Sequence, residues 1–170
     1  LFAKVTKGCN AHCAFCSNAG CQSPSSLFDI EKMISIIYEL KSKGIIVNRM
    51  NITGGEPSVV SPLVVRILDA IDKEHFDDVH LHLNTNGVTM QAQDLMQHPR
   101  WDSISMSLHH YDVNRLSDLY GCEIPAHLLH FTGVDKQKIN FSCNLIKGYI
   151  DNKEEVRKML DLTLDTGIRR

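Results

Sequence analysis

Apolar and polar residues alternate along this chain with two different periods. Runs of period two fall at 2–7 (FAKVTK), 48–53 (NRMNIT), 79–84 (VHLHLN), 102–108 (DSISMSL) and 139–146 (INFSCNLI), and each reads as a β-strand. Between them the period lengthens. Residues 29–43 carry Ile30, Met33, Ile34, Ile37 and Leu40 at helical spacing and stop at Gly44. The stretch 62–74 opens on Ser61-Pro62, a capping residue followed by proline at the first helical position. A last helix, 153–166, is framed by Asn152 as cap and Gly167 as stop. Weaker helical patterns at 90–98 and 112–130 are interrupted around Pro99, Gly121 and Pro125. Strand then helix, five times over, predicts an α/β fold with a parallel sheet, either open and doubly wound or a partial barrel.

The polar members of the strands form a set of their own: Lys4 and Thr6; Asn51 and Thr53; His80, His82 and Asn84; Ser103, Ser105, Ser107 and His109; Asn140, Ser142 and Asn144. Alternating with them are Ile52; Val79, Leu81 and Leu83; Ile104, Met106 and Leu108; Ile139, Phe141, Cys143 and Leu145. Helices cover one face of such a sheet, so the apolar set must point at them. The polar set then faces inward. Eight-stranded α/β barrels fill their interior with branched apolar side chains, so a lining of Ser, Asn, Thr and His predicts a wider, wetter space holding something polar. The competing expectation is an antiparallel sheet with one solvated face, and the intervening helices argue against it because they supply parallel crossovers.

Composition narrows the partners. With 170 residues and 43% hydrophobic content, the chain can bury one real core. A formal charge of -2 gives no general attraction for nucleic acid or anionic lipid, and neither partner is expected. No stretch approaches the ~18 apolar residues of a membrane span, and LFAKVTKGCN lacks the basic-then-apolar plan of a signal peptide. A cytoplasmic setting is expected. The start at Leu1 and the close in TGIRR point to a segment of something longer.

Three of the six cysteines, Cys9, Cys13 and Cys16, crowd into KGCNAHCAFC at 7–16. Clustered thiolates in a cytosolic setting indicate metal or redox chemistry, as tetrahedral zinc or an iron–sulfur cluster. Structural zinc takes four protein ligands, usually from two separated pairs. Here there is one triplet. Three ligands on a 4Fe-4S cluster would leave one iron open to a small molecule, whereas Cys21 as a fourth ligand would make a ferredoxin-like site. Cys122 and Cys143 read as ordinary thiols. Nine histidines invite a second metal, but hydrogen-bonded histidines are commoner than ligands, and inward His82 and His109 are better candidates for substrate contacts.

The spacing C-x-x-x-C-x-x-C directly after a first strand, with Gly8 ahead of it, resembles the signature of the radical S-adenosylmethionine (radical SAM) enzymes. TGGEP at 53–57 follows the second strand, NTNG at 84–87 the third, SMSLHH at 105–110 ends the fourth, and NFSCNLIKGYIDNKEE at 140–155 matches the fifth strand and its turn. The order of these pieces resembles the family over essentially the whole chain, nearest in layout to molybdenum-cofactor cyclase and SPASM-twitch type members. The resemblance implies a partial (β/α)6 TIM-like barrel, truncated here after about five βα units, with the sixth strand and any auxiliary domain lying beyond residue 170. It implies a 4Fe-4S cluster on Cys9, Cys13 and Cys16, and S-adenosylmethionine chelated to the open iron. It places Phe15 by the adenine, Gly54, Gly55 and Glu56 by the methionine ammonium, Ser107 by the ribose and Asn144 by the nucleoside. Arg115 is a looser candidate for the cofactor carboxylate.

In that family a one-electron reduction cleaves the cofactor to a 5′-deoxyadenosyl radical, which abstracts hydrogen from a substrate. The resemblance therefore implies an enzyme acting on a small molecule or peptide and served by an external one-electron donor of flavodoxin or ferredoxin type. The alternative is a non-catalytic iron–sulfur or zinc-binding domain for electron transfer or partner binding. Two positions depart from the pattern. Asn51 stands where several relatives carry an Arg two residues before TGG, which argues against a purine triphosphate substrate. Ser107-Leu108-His109 replaces the common SLD.

Overall fold

The computed structural model describes residues 1–17 and 28–168. Five strands form one sheet in the order of the sequence: β1 (Phe2–Lys4), β2 (Arg49–Thr53), β3 (His80–Thr85), β4 (Ser103–Ser107) and β5 (Ile139–Ser142). Every neighbouring pair is parallel. Between consecutive strands run α1 (Ile30–Ser42), α2 (Ser61–Lys73), α3 (Met90–Met96) and α4 (Val113–Tyr120), with α5 (Lys153–Asp165) after β5. An in-order parallel sheet with a helix after each strand is the wall of a partial TIM-like barrel, and the antiparallel alternative is excluded.

The register explains how one sequence pattern makes two faces. Ile52 stands beside Leu83, which stands beside Ile104, which stands beside Ile139; all four are fully buried under the helices. Met33 and Ile37 of α1 and Val64, Ile67, Leu68 and Ile71 of α2 belong to that core. On the opposite face Asn51 stands beside His82 and His82 beside Ser103, and one step up Asn84, Ser105 and Asn140 share a row. The Ser103 hydroxyl lies 2.7 Å from His80 Nε2 and 2.7 Å from His82 Nδ1, so it donates to one imidazole and accepts from the other. Burial and then the Arg49 charge push His82 down, which keeps it neutral.

Three expectations need correction. Ser61 does not cap α2: a 3-10 turn over Pro57–Val60 runs straight into the helix, Ser61 is its first residue, and Glu56 caps the turn through Ser58 N–H. The helix 112–130 is only α4, which begins at the Asp112 cap and ends where Gly121 turns left-handed at φ 60, followed by a short turn over Ala126–Leu129. The strand 139–146 stops at Ser142. Its ladder ends with Leu108 N–H on the Ser142 carbonyl, after which Asn144 N–H turns to His109 Nδ1 and Leu145, expected on the helix side, is 71% exposed. No helix among the described residues is long and apolar enough to cross a membrane.

Candidate functional site

The cysteine loop rises from the C-terminal end of β1, where parallel α/β sheets carry their sites. Its position is set by backbone. The pairing of β1 with β2 continues past the strand ends: Val5 N–H reaches the Thr53 carbonyl at 2.9 Å, Gly55 N–H the Thr6 carbonyl at 2.8 Å and Glu56 N–H the Gly8 carbonyl at 2.8 Å. The two loops are thereby zipped together. A Cβ at Gly54 would lie 2.4 Å from the Thr6 oxygen, and one at Gly55 would lie 2.0 Å from the Gly8 oxygen and 2.7 Å from that of Lys7. The absence of a side chain at these two glycines lets the cysteine loop approach at backbone distance.

Glu56 is 1% exposed. Its Oε1 accepts from Ser58 N–H at 3.0 Å and from the Thr85 hydroxyl at 2.7 Å, and its Oε2 accepts from Asn86 N–H at 2.7 Å. Burial pushes its carboxyl up, and those donors pull part of the way back. Asn86 extends the chain of contacts. Its side-chain N–H₂ lies 2.9 Å from Asn10 Oδ1 and 3.9 Å from Cys9 Sγ, while its own Oδ1 accepts from Val88 N–H at 3.0 Å. Asn86, the second Asn of NTNG, joins the two loops, its backbone N–H on the TGGEP loop and its side chain on the cysteine loop, a role the motif alone does not reveal.

All three cysteines are half-buried and outside any disulfide. Cys16 N–H closes a turn on the Cys13 carbonyl at 3.0 Å, and Ala11 N–H points at Cys9 Sγ from 3.4 Å. Burial pushes the Cys13 thiol up to about 11, with Cys9 and Cys16 adding to the effect, and burial also raises Cys9. Among the described residues no three His, Cys, Asp or Glu side chains are drawn together around a single-ion site. Cys21 lies outside the described residues. The donor set suits an iron–sulfur cluster: three thiols on one loop, with peptide and amide N–H groups turned towards a sulfur.

The remaining candidates lie towards β4 and β5. Phe15 meets His109 edge-on, with ring centroids 4.7 Å apart, and Tyr120 flanks the same imidazole at 5.7 Å. Burial pushes His109 down to about 4. Ser107, the last residue of β4, faces inward beside Ser142, and its carbonyl accepts from the Tyr120 hydroxyl at 2.6 Å. Asn144 is exposed and placed by its N–H on His109 Nδ1 at 3.1 Å. Arg115, on α4, reaches the loop that follows β5. Its guanidinium lies 4.3 Å over the Tyr149 ring and donates to the Gly148 carbonyl, at the edge of a polar cavity of about 430 Å³ that also touches His110 and Glu155.

A parallel half-barrel with a hydrophilic inner face and three thiols clamped at its C-terminal rim defines a class of cofactor-dependent α/β enzyme. A family model described as the radical SAM superfamily matches residues 3–163, and the chain belongs to that superfamily, whose enzymes use a 4Fe-4S cluster and S-adenosylmethionine. No curated protein matches the chain at the sequence level. Among solved structures, Streptococcus suis SuiB bound to S-adenosylmethionine aligns with a TM-score of 0.72 at 18% identity, over 99% of this chain and 38% of SuiB. SuiB bound to its precursor peptide SuiA gives 0.71 at 18%, over 98% and 37%. TYW1 with a lysine-pyruvate adduct bound gives 0.66 at 16%, over 98% of this chain and 60% of TYW1. At these identities the likeness is one of fold. The chain spans under two thirds of the length of either relative.

Proposed function

We propose that residues 1–170 are the core domain of a radical SAM enzyme, with Cys9, Cys13 and Cys16 holding the 4Fe-4S cluster. The observation that carries the reading is the backbone zipper from Thr6 to Glu56, which fixes the cysteine loop beside the buried Glu56 and Asn86 at one rim of a polar sheet. When bound, the cluster and S-adenosylmethionine supply reductive cleavage and hydrogen abstraction.

The protein's part is placement. Cys9, Cys13 and Cys16 would hold the cluster by three thiolates from one loop, leaving a position for the cofactor's amino and carboxylate groups. Gly54 and Gly55, which hold the rim at backbone distance, and Glu56 would stand by the methionine ammonium of the cofactor. Phe15, braced edge-on by His109, offers an apolar surface to the adenine. Ser107 and Asn144 bring a hydroxyl and an amide towards the ribose and nucleoside. The inner rows of His82, Ser103, Asn84, Ser105 and Asn140 then receive a polar small-molecule or peptide substrate. That SuiB is found with a precursor peptide favours the peptide option. An external one-electron donor of flavodoxin or ferredoxin type and a cytoplasmic setting complete the proposal.

Anaerobic reconstitution of the full-length protein should load about four irons and four sulfides. With dithionite and S-adenosylmethionine it should then form 5′-deoxyadenosine. A fully loaded cluster that yields none of this product overturns the reading.

A further inference from the structure

The cluster reading says which sulfurs meet iron; it does not say what tunes them. Cys9 stands where two N–H groups converge. Its Sγ is faced by Ala11 N–H at 3.4 Å and by the Asn86 side-chain N–H₂ at 3.9 Å. The amide cannot turn over at no cost, because Asn86 Oδ1 is engaged by Val88 N–H at 3.0 Å and its Nδ2 also donates to Asn10 Oδ1 at 2.9 Å. The backbone of the same residue holds Glu56 Oε2 at 2.7 Å. Asn86 thus stands between a buried carboxyl and a sulfur.

We infer that Asn86 is a positioning residue that sets the reduction potential of the cluster, by donating an N–H to the Cys9 sulfur in a place fixed by Val88 and Asn10. Reduction adds one electron and therefore negative charge to the cluster and its thiolates. A donor aimed at a ligand sulfur stabilises that charge, so it raises the potential, while a nearby carboxylate lowers it. The amide thereby eases reduction of the cluster by a one-electron donor. This inference rests on the cluster reading above.

The test is a redox titration of full-length, anaerobically reconstituted protein, followed by electron paramagnetic resonance without S-adenosylmethionine or substrate, so that turnover plays no part. Asn86→Asp keeps an acceptor for Val88 N–H but replaces the donor by a carboxylate oxygen. Its ratio of reduced to oxidised cluster at a fixed applied potential should fall about tenfold, equivalent to about 59 mV for one electron. Asn86→Ser removes the donor without adding charge, and its shift should be smaller and in the same direction. Asn10→Ala removes one of the two contacts that fix the amide but leaves the donor and its Val88 contact, so its midpoint should fall by less than that of either Asn86 variant.

Unchanged or raised midpoints in Asn86→Asp and Asn86→Ser, with iron content intact, overturn the inference. Loss of the cluster from both, while Asn10→Ala retains it, overturns it too, because Asn86 would then be part of the scaffold alone. Failure of the wild type to load a cluster instead strikes at the function proposed above, so the two failures are distinguishable.

Discussion

The rim over β1 to β3 and the rim over β4 and β5 are built in different ways. Over β1 to β3 the loops touch backbone to backbone, with glycines where any side chain would collide and a buried carboxyl that takes three donors. Over β4 and β5 two backbone bonds, Leu108 N–H on Ser142 and His12 N–H on Tyr120, are joined by side-chain and ring-edge contacts: Phe15 on His109, Arg115 on Tyr149, and the Tyr111 hydroxyl on Glu155. Side chains can change rotamer, whereas a peptide ladder cannot shift by less than a register step. The first rim suits holding something invariant, such as a metal cluster. The second suits meeting ligands of varied shape.

Gly55→Ala should break that contrast most severely. Its Cβ would meet main-chain oxygens with no flexible end to give way, so the loop must move. A loss of more than about 3 kcal/mol in urea unfolding, with iron content after reconstitution reduced at least tenfold, is expected. Glu56→Ala comes next. It strands Ser58 N–H, the Thr85 hydroxyl and Asn86 N–H, at about 1–3 kcal/mol for each buried donor left without a partner. A drop in the urea midpoint larger than for Glu56→Gln checks it.

The pH dependence probes the second rim. An unfolded imidazole titrates near about 6.5, whereas His109 in the fold is held down to about 4 by burial. Between those values the unfolded chain binds a proton that the folded one refuses, so this contribution to stability is lost as pH falls through that window. His109→Gln should flatten the fall, as read from urea midpoints at several pH values. Arg115→Ala should have the smallest effect: a stability loss of about 1 kcal/mol or less for an exposed cation on a ring, with cluster loading unchanged. A large loss of iron in this variant would abolish the distinction between the two rims.

Much of the scaffold was legible because period two and period 3.6 are properties of single elements. The apolar members of β2, β3 and β4 are buried as their alternation requires, and Asn152 caps α5 as its position predicts. β5 misled because alternation continues to Leu145 after hydrogen bonding has left the ladder. Capping at Ser61 misled for a related reason, since a 3-10 turn has no signature apart from the helix it enters. The cysteine triplet was visible as a motif. Its fastening was not, because Gly55 against Gly8 and Asn86 against Cys9 join residues far apart in sequence, and no local pattern records such a meeting.

The first strand is only three residues long, yet its ladder continues through Val5, Thr6 and Gly8 into the second loop. That makes it a ruler. Each residue of a parallel strand advances about 3.3 Å, so adding or deleting one residue between Lys4 and Cys9 would raise or lower the sulfurs by that step and turn them to the other side. The height of the three sulfurs above the floor of the half-barrel is therefore written in how many residues separate Lys4 from Cys9.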